Sequence, residues 1–259
     1  MSNMDCLQIG TLQLSSRVLL GTALYPDRQT MFNCIQNCEV SMVTISLRRV
    51  SLQSSPMNLY SQLQDLNLHL LPNTAGCFSA KEAILTAELA REALETNRIK
   101  LEVIADEETL LPEPEQLLIA TEELVKLGFE VYPYTNDDPV MAKKLEDLGC
   151  VCVMPLAAPI GTGLGIRNPH NLEMIVARAN VPVIVDAGIG TASDITKVFE
   201  LGCSAVLLNT AVARARYPVK MATAVKHAAI AGRMAYLSGR MPAKNYAESA
   251  SPLTGKAWT

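Results

Sequence analysis

The sequence predicts an α/β fold in which residues 1–259 form one domain, a barrel of alternating strands and helices. The chain has 259 residues, a length typical of one closed barrel. Eight short apolar runs recur at about the spacing of a strand plus a helix, and amphipathic helical patterns lie between them. Strands that alternate with helices pair in parallel, and eight such units favour a single (β/α)8 TIM barrel over an open sheet.

The predicted strands are short and rich in leucine and β-branched residues. In chain order they cover residues 18–20, 42–45, 68–71, 99–103, 130–132, 151–154, 183–185 and 205–208. The clearest helical patterns cover residues 80–94, 113–127, 139–148, 171–179, 193–201 and 218–237. Pro139, which follows Asp138, marks a helix start, and Gly149 and Gly202 stand where a left-handed residue ends a helix. The chain therefore alternates strand and helix along its length.

Composition restricts the class of partner. The formal net charge is −4 and no run of lysines or arginines occurs, which argues against a nucleic-acid partner or an anionic membrane. The longest uncharged stretch, residues 148–166, is broken by Pro155 and Pro159 and cannot form a simple spanning helix. The first ten residues lack the basic and then apolar order of a secretory signal. We therefore expect a cytoplasmic protein with a small substrate. The seven cysteines form no C-x-x-C pair, so we expect no metal site.

A lysine stands in the fourth predicted strand, within the run Ile99-Lys100-Leu101-Glu102-Val103. Because side chains alternate across a strand, Lys100 and Glu102 are expected to share one enclosed face. Desolvation disfavours the ammonium form, so a fraction of neutral amine is expected, and a neutral amine can attack a carbonyl to form an imine. A buried ion pair that only holds the strand explains the same residues equally well.

Glycine-rich loops follow the last three predicted strands. Gly161 lies after strand six, Asp186-Ala187-Gly188 follows strand seven just before a helix, and Asn209-Thr210 ends strand eight. Backbone N–H groups in such loops, together with the N-terminus of the following helix, are expected to face a bound phosphate. Each loop alone is also compatible with an ordinary turn.

Asp186 is a second buried carboxylate in the predicted barrel, since it follows an apolar strand. It is a candidate proton carrier beside Lys100 and Glu102, and a structural acceptor for loop N–H groups is the alternative. An amine nucleophile, two carboxylates and a phosphate loop together predict binding of a phosphorylated keto sugar.

Six segments carry a more specific signal. In chain order they read TISLRR (44–49), LLPNTAG (70–76), IKLEV (99–103), VMPLAAPIG (153–161), VDAGIG (185–190) and SPLTG (251–255). Together, and in this order, they resemble the thiazole synthase of bacterial thiamine biosynthesis. The set is highly specific, although any one string is weak.

The resemblance implies that Lys100 forms an imine with 1-deoxy-D-xylulose 5-phosphate, while Glu102 and Asp186 move protons. It implies that sulfur arrives from the C-terminal thiocarboxylate of a small sulfur-carrier protein. Condensation with dehydroglycine then gives the thiazole phosphate carboxylate, with no metal or organic cofactor in this subunit. A homo-oligomer, a tetramer by family resemblance, is also implied. The implied phosphate ligands are Gly161, Ala187, Gly188, Asn209 and Thr210.

Two segments depart from the family pattern. The family usually has Gly-Thr-Gly-Lys where this chain has Gly21-Thr22-Ala23-Leu24, which removes a positive charge near the barrel rim. It has Gly-Ala-Pro where this chain has Ala157-Ala158-Pro159, which is expected to add a methyl near the phosphate. Arg48 and Arg49 are candidates for phosphate steering or carrier contact, and a solvated surface suits them equally. Residues 246–259 are expected to cover the barrel mouth or to form a surface tail.

Two other functions fit the same residues. A class I Schiff-base aldolase also uses a barrel lysine on a phosphosugar, but it cleaves a carbon–carbon bond and needs no sulfur donor. A non-catalytic barrel that binds a phosphorylated metabolite, or that scaffolds the carrier, would form no adduct with its ligand.

Overall fold

A computed structural model describes residues 5–46 and 56–250, with side chains from residue 59 onwards in the second range. The strands of this part of the chain are β1 (Leu7–Ile9), β2 (Leu12–Leu14), β3 (Val18–Gly21), β4 (Met42–Ser46), β5 (His69–Asn73), β6 (Arg98–Leu101), β7 (Glu130–Thr135), β8 (Met154–Pro155), β9 (Ile184–Asp186) and β10 (Ala205–Leu208). The helices are α1 (Arg28–Cys38), α2 (Pro56–Asp65), α3 (Ala80–Leu94), α4 (Pro114–Lys126), α5 (Pro139–Asp147), α6 (Pro169–Arg178), α7 (Ala192–Glu200), α8 (Thr210–Ala213) and α9 (Pro218–Ser238).

Strands β3 to β10 form one parallel sheet in the order β8-β7-β6-β5-β4-β3-β10-β9. Single parallel bridges from Val153 to Val183 and from Leu156 to Asp186 join the two edges of the sheet. The sheet is therefore closed, and the predicted (β/α)8 barrel is confirmed.

All eight predicted barrel strands are present, with ends that differ by at most three residues. The six predicted helices agree with α3 to α7 and α9 within two residues. The glycines at the helix ends have the expected left-handed backbone, with φ of 98° at Gly149 and 92° at Gly202. The structure adds a β1–β2 hairpin that the apolar periodicity did not predict, and β6 ends at Leu101, so Glu102 lies one residue beyond its strand.

Apolar side chains pack on both faces of the barrel wall, one cluster inside the barrel and one outside it. The inner cluster includes Leu19, Met42 and Leu71 from the strands, and Leu7 and Leu14 of the hairpin pack into it. The outer cluster fills the space between the strands and the helices. The hairpin fills the amino-terminal end of the barrel. A cavity lies at the other end, beside the carboxyl ends of the strands.

Asp5 ties three parts of the chain together at the amino-terminal end of the barrel. Its Oδ1 atom lies 2.6 Å from Arg17 Nη2, and its Oδ2 atom lies 2.7 Å from Arg233 Nε on α9. Arg17 also donates to the Ser204 carbonyl at 2.8 Å. The two guanidinium groups, Arg233 first, hold the pKa of Asp5 at about 2 although partial burial opposes this shift. The ionised carboxylate therefore stabilises the folded state.

We expect Asp5→Asn to destabilise the protein by about 1 kcal/mol at pH 7, a modest value because the side chain is partly exposed and screened by solvent. The pKa of Asp5 is lower in the folded state than in the unfolded state. Its contribution is therefore present above about pH 4, the usual unfolded value, and is lost as the pH falls toward 2. Denaturant unfolding of both proteins between pH 7 and pH 3 measures this. Asp147→Asn is the surface control, and an Asp5→Asn deficit that stays constant down to pH 3 would contradict the account.

Several expectations lie outside the described residues. Arg48, Arg49 and residues 251–259 belong to this group, and the tail residues 246–250 that are described are exposed. The predicted cover over the barrel mouth, and the assignment of all 259 residues to one domain, stay predictions. Among the described helices, none combines the length and the apolar character that a membrane crossing requires.

Candidate active site

Lys100 lies inside the barrel near the carboxyl end of β6 and is only 6% exposed. Its Nζ atom is 2.6 Å from Asp186 Oδ2 and 3.3 Å from Glu102 Oε1. Ile99, Leu101 and Val103 pack in the outer cluster, as the alternation of side chains predicts. The predicted shared space of Lys100 and Glu102 is therefore present, and Asp186 reaches it from β9 on the far side of the barrel.

The pKa of Lys100 corrects one expectation. Burial lowers this pKa, as expected, but the Asp186 and Glu102 carboxylates raise it more, and the result is about 12. The predicted fraction of neutral amine is wrong for the resting site, because two anions face one cation there. The pKa of Glu102 is raised by its own burial and by Asp186, against the opposing effect of Lys100. The resting site therefore holds an ammonium, and any reaction of the amine begins with a proton transfer.

One cavity of about 650 Å³ opens beside this cluster. Lys100 and Asp186 line it, whereas Glu102 is not among its lining residues and lies behind the lysine. The structure also brings every residue predicted from the phosphate pattern to the wall of the same cavity: Gly161, Ala187, Gly188, Asn209 and Thr210.

The mouth of the barrel is covered over β6, β7 and β8. After β6 the chain folds back on itself, with a bridge between Ile104 and Pro112 and a hydrogen bond from the Ala105 N–H to the Leu111 carbonyl. Tyr134 of β7 donates to the Leu110 carbonyl at 3.2 Å, and its ring centroid lies 5.9 Å from Lys100 Nζ. Leu110, Ile160 and Ala187 pack against a buried cluster of Ile104, Tyr134 and Leu156. We call this apolar cover the mouth cap. It excludes water from one side of the lysine.

The loops after β8 and β9 are joined tightly. Ala187 and Gly188 both have left-handed backbone, with φ of 69° and 80°. The Gly165 N–H donates to the Gly188 carbonyl at 2.8 Å, and a Cβ atom added at Gly188 would lie 2.6 Å from Ala158 Cα. Ala157 and Ala158 do not line the cavity, and Ala157 packs in the outer cluster. The expected extra methyl near the phosphate is therefore wrong, because this side chain points away from the cavity.

The two candidate helix N-termini differ. At α7 the Gly190 and Thr191 N–H groups donate to Asp194 Oδ2 at 2.9 and 3.0 Å, so this terminus is occupied by its own carboxylate. The expectation that it faces a phosphate is wrong for those two groups, because the capping acid lies within the first turn of the helix. At α8 Asn209 makes no side-chain cap, and its buried Oδ1 atom has no hydrogen-bond partner in the described part of the chain. An amide oxygen accepts and cannot donate to an anion, so the groups here that could bind one are the Asn209 amide nitrogen, the Thr210 hydroxyl and backbone N–H groups, with those of Ala187-Gly188 on the neighbouring strand end.

Several cavity residues were missed by the sequence reasoning. Thr44, Ser46 and Asn73 line the cavity from the ends of β4 and β5, where position at a strand end was an available signal. Tyr60 reaches the cavity from α2, and burial raises its pKa to about 12. Arg28, at the start of α1, also lines the cavity, so a cation lies in this region although Leu24 is neutral. Among the described residues no group of histidine, cysteine or acidic side chains is arranged to hold a metal.

Comparison with known proteins agrees with this geometry. The family model described as "Thiazole biosynthesis protein ThiG" matches residues 8–252. A protein named thiazole synthase from Azorhizobium caulinodans is 56% identical over 251 residues, which cover 97% of this chain and 94% of that protein. A protein of the same name from Sorangium cellulosum is 52% identical over 253 residues and 97% of both chains.

Two solved structures are informative. The structure described as the Amycolatopsis orientalis BexX/CysO complex is similar with a TM-score of 0.84 and 30% identity, over 93% of this chain and 98% of that one. The 3-hexulose-6-phosphate synthase of Salmonella typhimurium has a TM-score of 0.61 at 12% identity, over 83% of this chain and 99% of that one. At that identity the likeness concerns the fold alone.

Proposed function

The chain belongs to the ThiG family of thiazole synthases, enzymes of thiamine biosynthesis, and on this premise we propose that it works through an imine on Lys100. The proposed substrates are 1-deoxy-D-xylulose 5-phosphate, dehydroglycine and the sulfur of a thiocarboxylated carrier protein, and the product is the thiazole phosphate carboxylate. The observation that carries the proposal is a buried lysine between two carboxylates, on the wall of a cavity whose loops suit a phosphate.

Asp186 is suited to the first proton transfer. Its Oδ2 atom is 2.6 Å from Lys100 Nζ, and both residues line the cavity. In the proposed step the ammonium gives a proton to this carboxylate, and the neutral amine adds to the carbonyl carbon of the sugar. The carbonyl oxygen takes up the proton held by Asp186 and a second proton released by the nitrogen after addition, and leaves as water, which gives the protonated imine. The imine then acidifies the neighbouring carbon, so the same carboxylates can move protons as the carbonyl shifts along the sugar chain.

Glu102 is suited to a supporting part in this step. It lies behind Lys100, out of the cavity, and burial raises its pKa. A carboxylate in this place keeps a positive charge on the nitrogen, both as ammonium and as protonated imine. It is also a second acceptor for the proton that Lys100 releases. We thus propose that Asp186 exchanges protons with the substrate in the cavity, while Glu102 exchanges them with Lys100 outside it.

The phosphate end of the sugar is proposed to rest on Gly161, Ala187, Gly188, Asn209 and Thr210. Ala187 and Gly188 line the cavity in a turn at the end of β9, and their backbone N–H groups are the proposed donors to the phosphate. Asn209 and Thr210 supply amide and hydroxyl groups on the neighbouring strand end. Arg28, which lines the same cavity, favours the anionic character of the ligand.

A protein partner is also part of the proposal. The similar structure of BexX contains a second protein, CysO, which supports the idea that this chain binds a small sulfur-carrier protein with a C-terminal thiocarboxylate. A homo-oligomer, a tetramer in the expectation from the family, is proposed with it. The cytoplasmic location expected from the sequence stays a prediction.

Borohydride trapping tests the imine. We expect incubation with 1-deoxy-D-xylulose 5-phosphate and borohydride to reduce an adduct on Lys100, which peptide mapping by mass spectrometry locates. Lys126→Met is the matched control, because this lysine is exposed on α4 and forms a surface ion pair with Glu122. It should leave the adduct unchanged. Tight substrate binding without an adduct would instead support the non-catalytic barrel. Adding thiocarboxylated carrier and dehydroglycine then separates synthase from aldolase by the appearance of thiazole.

A further inference from the structure

Thr74 lies directly after β5 and is fully buried. Three hydrogen bonds join it to the segment that carries both Lys100 and Glu102. Its backbone N–H donates to the Lys100 carbonyl at 3.1 Å, and its hydroxyl donates to the Glu102 carbonyl at 2.7 Å. The same hydroxyl accepts the Glu102 N–H at 2.7 Å.

The position of Thr74 explains why a hydroxyl is needed there. The pairing of β5 with β6 ends in register at Asn73 and Lys100, and β6 itself ends at Leu101. Beyond that point the main chain at Glu102 has no partner strand to bind both its N–H and its carbonyl. A hydroxyl donates and accepts at once, so Thr74 satisfies both buried groups, which an apolar side chain of the same shape leaves unpaired.

Among the residues that the structure describes, a single ion pair holds the Glu102 carboxylate. Its ion pair is with Lys100, and the residue is 5% exposed and does not line the cavity. The position of the carboxylate therefore depends on the position of the Glu102 main chain. A shift of about 1 Å in that main chain is enough to weaken a catalytic arrangement strongly.

We propose that Thr74 is a positioning residue of the imine-forming site, which acts by fixing the main chain of Glu102 and so holding its carboxylate beside Lys100. The inference rests on the proposed function, because it gives Thr74 a part in forming the Lys100 imine. Asp186 approaches the lysine from β9 and does not depend on Thr74. The phosphate loops also lie on other strands. Asn73, which precedes Thr74, also lines the cavity, but the hydrogen bond from the Thr74 N–H to the Lys100 carbonyl does not depend on the side chain and keeps this segment in place. Loss of the hydroxyl should thus slow imine formation without weakening substrate binding.

Thr74→Val and Thr74→Ser test the inference through the rate of borohydride trapping. We expect Thr74→Val to slow trapping at saturating sugar phosphate about tenfold, with an unchanged half-saturating concentration. Thr74→Ser keeps the hydroxyl and should remain within about threefold of the parent rate. Thr121→Val, at an equally buried threonine on α4 whose hydroxyl has no hydrogen-bond partner among the described residues, controls for the change of a buried hydroxyl to a methyl group and should trap at the parent rate. If Thr74→Val does not fold, Thr74→Ala, which leaves room for a water molecule, takes its place.

A double-mutant cycle with Glu102→Gln separates positioning from general damage. If Thr74 acts through Glu102, Thr74→Val should have little further effect, within about twofold, once Glu102 has been replaced. A crystal structure of Thr74→Val should also show Glu102 Oε1 displaced from its place 3.3 Å from Lys100 Nζ. An equal slowing in both backgrounds, a parent-like rate, or an undisplaced carboxylate would each overturn the inference. Failure of the parent protein to form any adduct would instead overturn the proposed function.

Discussion

Lys100→Met should remove the trapped adduct and reduce thiazole formation at least about a thousandfold, because among the described residues no other lysine lines the cavity to form the imine in its place. It should also destabilise the fold by roughly 3–5 kcal/mol at pH 7, because removal of one partner leaves a buried charge uncompensated. Glu102 and Asp186 then face each other without the ammonium that now lies within 3.3 Å of both. Trapping, thiazole assays and denaturant unfolding measure the three effects.

The pH dependence of this destabilisation has a definite sign. The folded-state pKa of Glu102 is already raised by burial and by Asp186, and loss of Lys100 removes the opposing effect. Folded Lys100→Met therefore binds more protons than its unfolded chain above the usual carboxyl range, so its unfolding free energy should rise as the pH falls from 8 toward about 4. Lys126→Met, at an exposed lysine, should match the parent across this range. If Lys100→Met were as stable as the parent at pH 8, the claim that Lys100 compensates the buried charges of Glu102 and Asp186 would be contradicted.

Gly188→Ala should cost roughly 3 kcal/mol of stability and weaken binding of the sugar phosphate. Two effects add: the left-handed backbone at φ 80° disfavours a side chain, and the new Cβ would lie 2.6 Å from Ala158 Cα. Relief of that clash requires the loop after β9 to move away from the loop after β8. The proposed phosphate ligands Ala187 and Gly188 move with it.

Gly128→Ala isolates the first of these effects, the left-handed backbone. Gly128 has a similar φ of 81°, but nothing lies within 4 Å of a Cβ added there. It should therefore cost only the backbone term, about 1 kcal/mol, and leave activity unchanged. Denaturant unfolding and the half-saturating concentration in trapping compare the two variants. Equal losses of stability would mean that contact with Ala158 does not hold the loop.

The sequence was sufficient for the parts of the site that follow from local periodicity. Alternation along a strand places Lys100 and Glu102 together, and the end of the seventh barrel strand brings Asp186 to the same face. The pKa of Lys100 was not accessible in this way, because it depends on how near two carboxylates from different strands approach one nitrogen. Nor did local sequence reveal that Asp194 occupies the N-terminus of α7.

The direction of side chains in loops was the other property that could not be predicted from the sequence. Ala157 follows a strand of only two residues, so its alternation could not be extended to say which way the methyl points, and it packs outward. Tyr60 gave no signal, because a helix residue reaches the cavity only through the tertiary packing of α2 against the barrel. Thr74 lies in the segment LLPNTAG, which resembles the family. Its role follows only from the hydrogen bonds to Glu102, which the sequence does not reveal.

In the part of the chain that the structure describes, the mouth cap covers one side of the lysine and the cavity opens on the other. The cavity is bordered by the ends of β3, β4, β5, β9 and β10, with Ile160 and Gly161 at its edge. Under the proposed function, a macromolecular sulfur donor that docks over this opening would block it for small molecules. We therefore expect the sugar phosphate to bind before the donor and to be retained by the proposed imine. Compulsory ordered addition, rather than random assembly of the reactants, is the kinetic signature that we expect of this architecture.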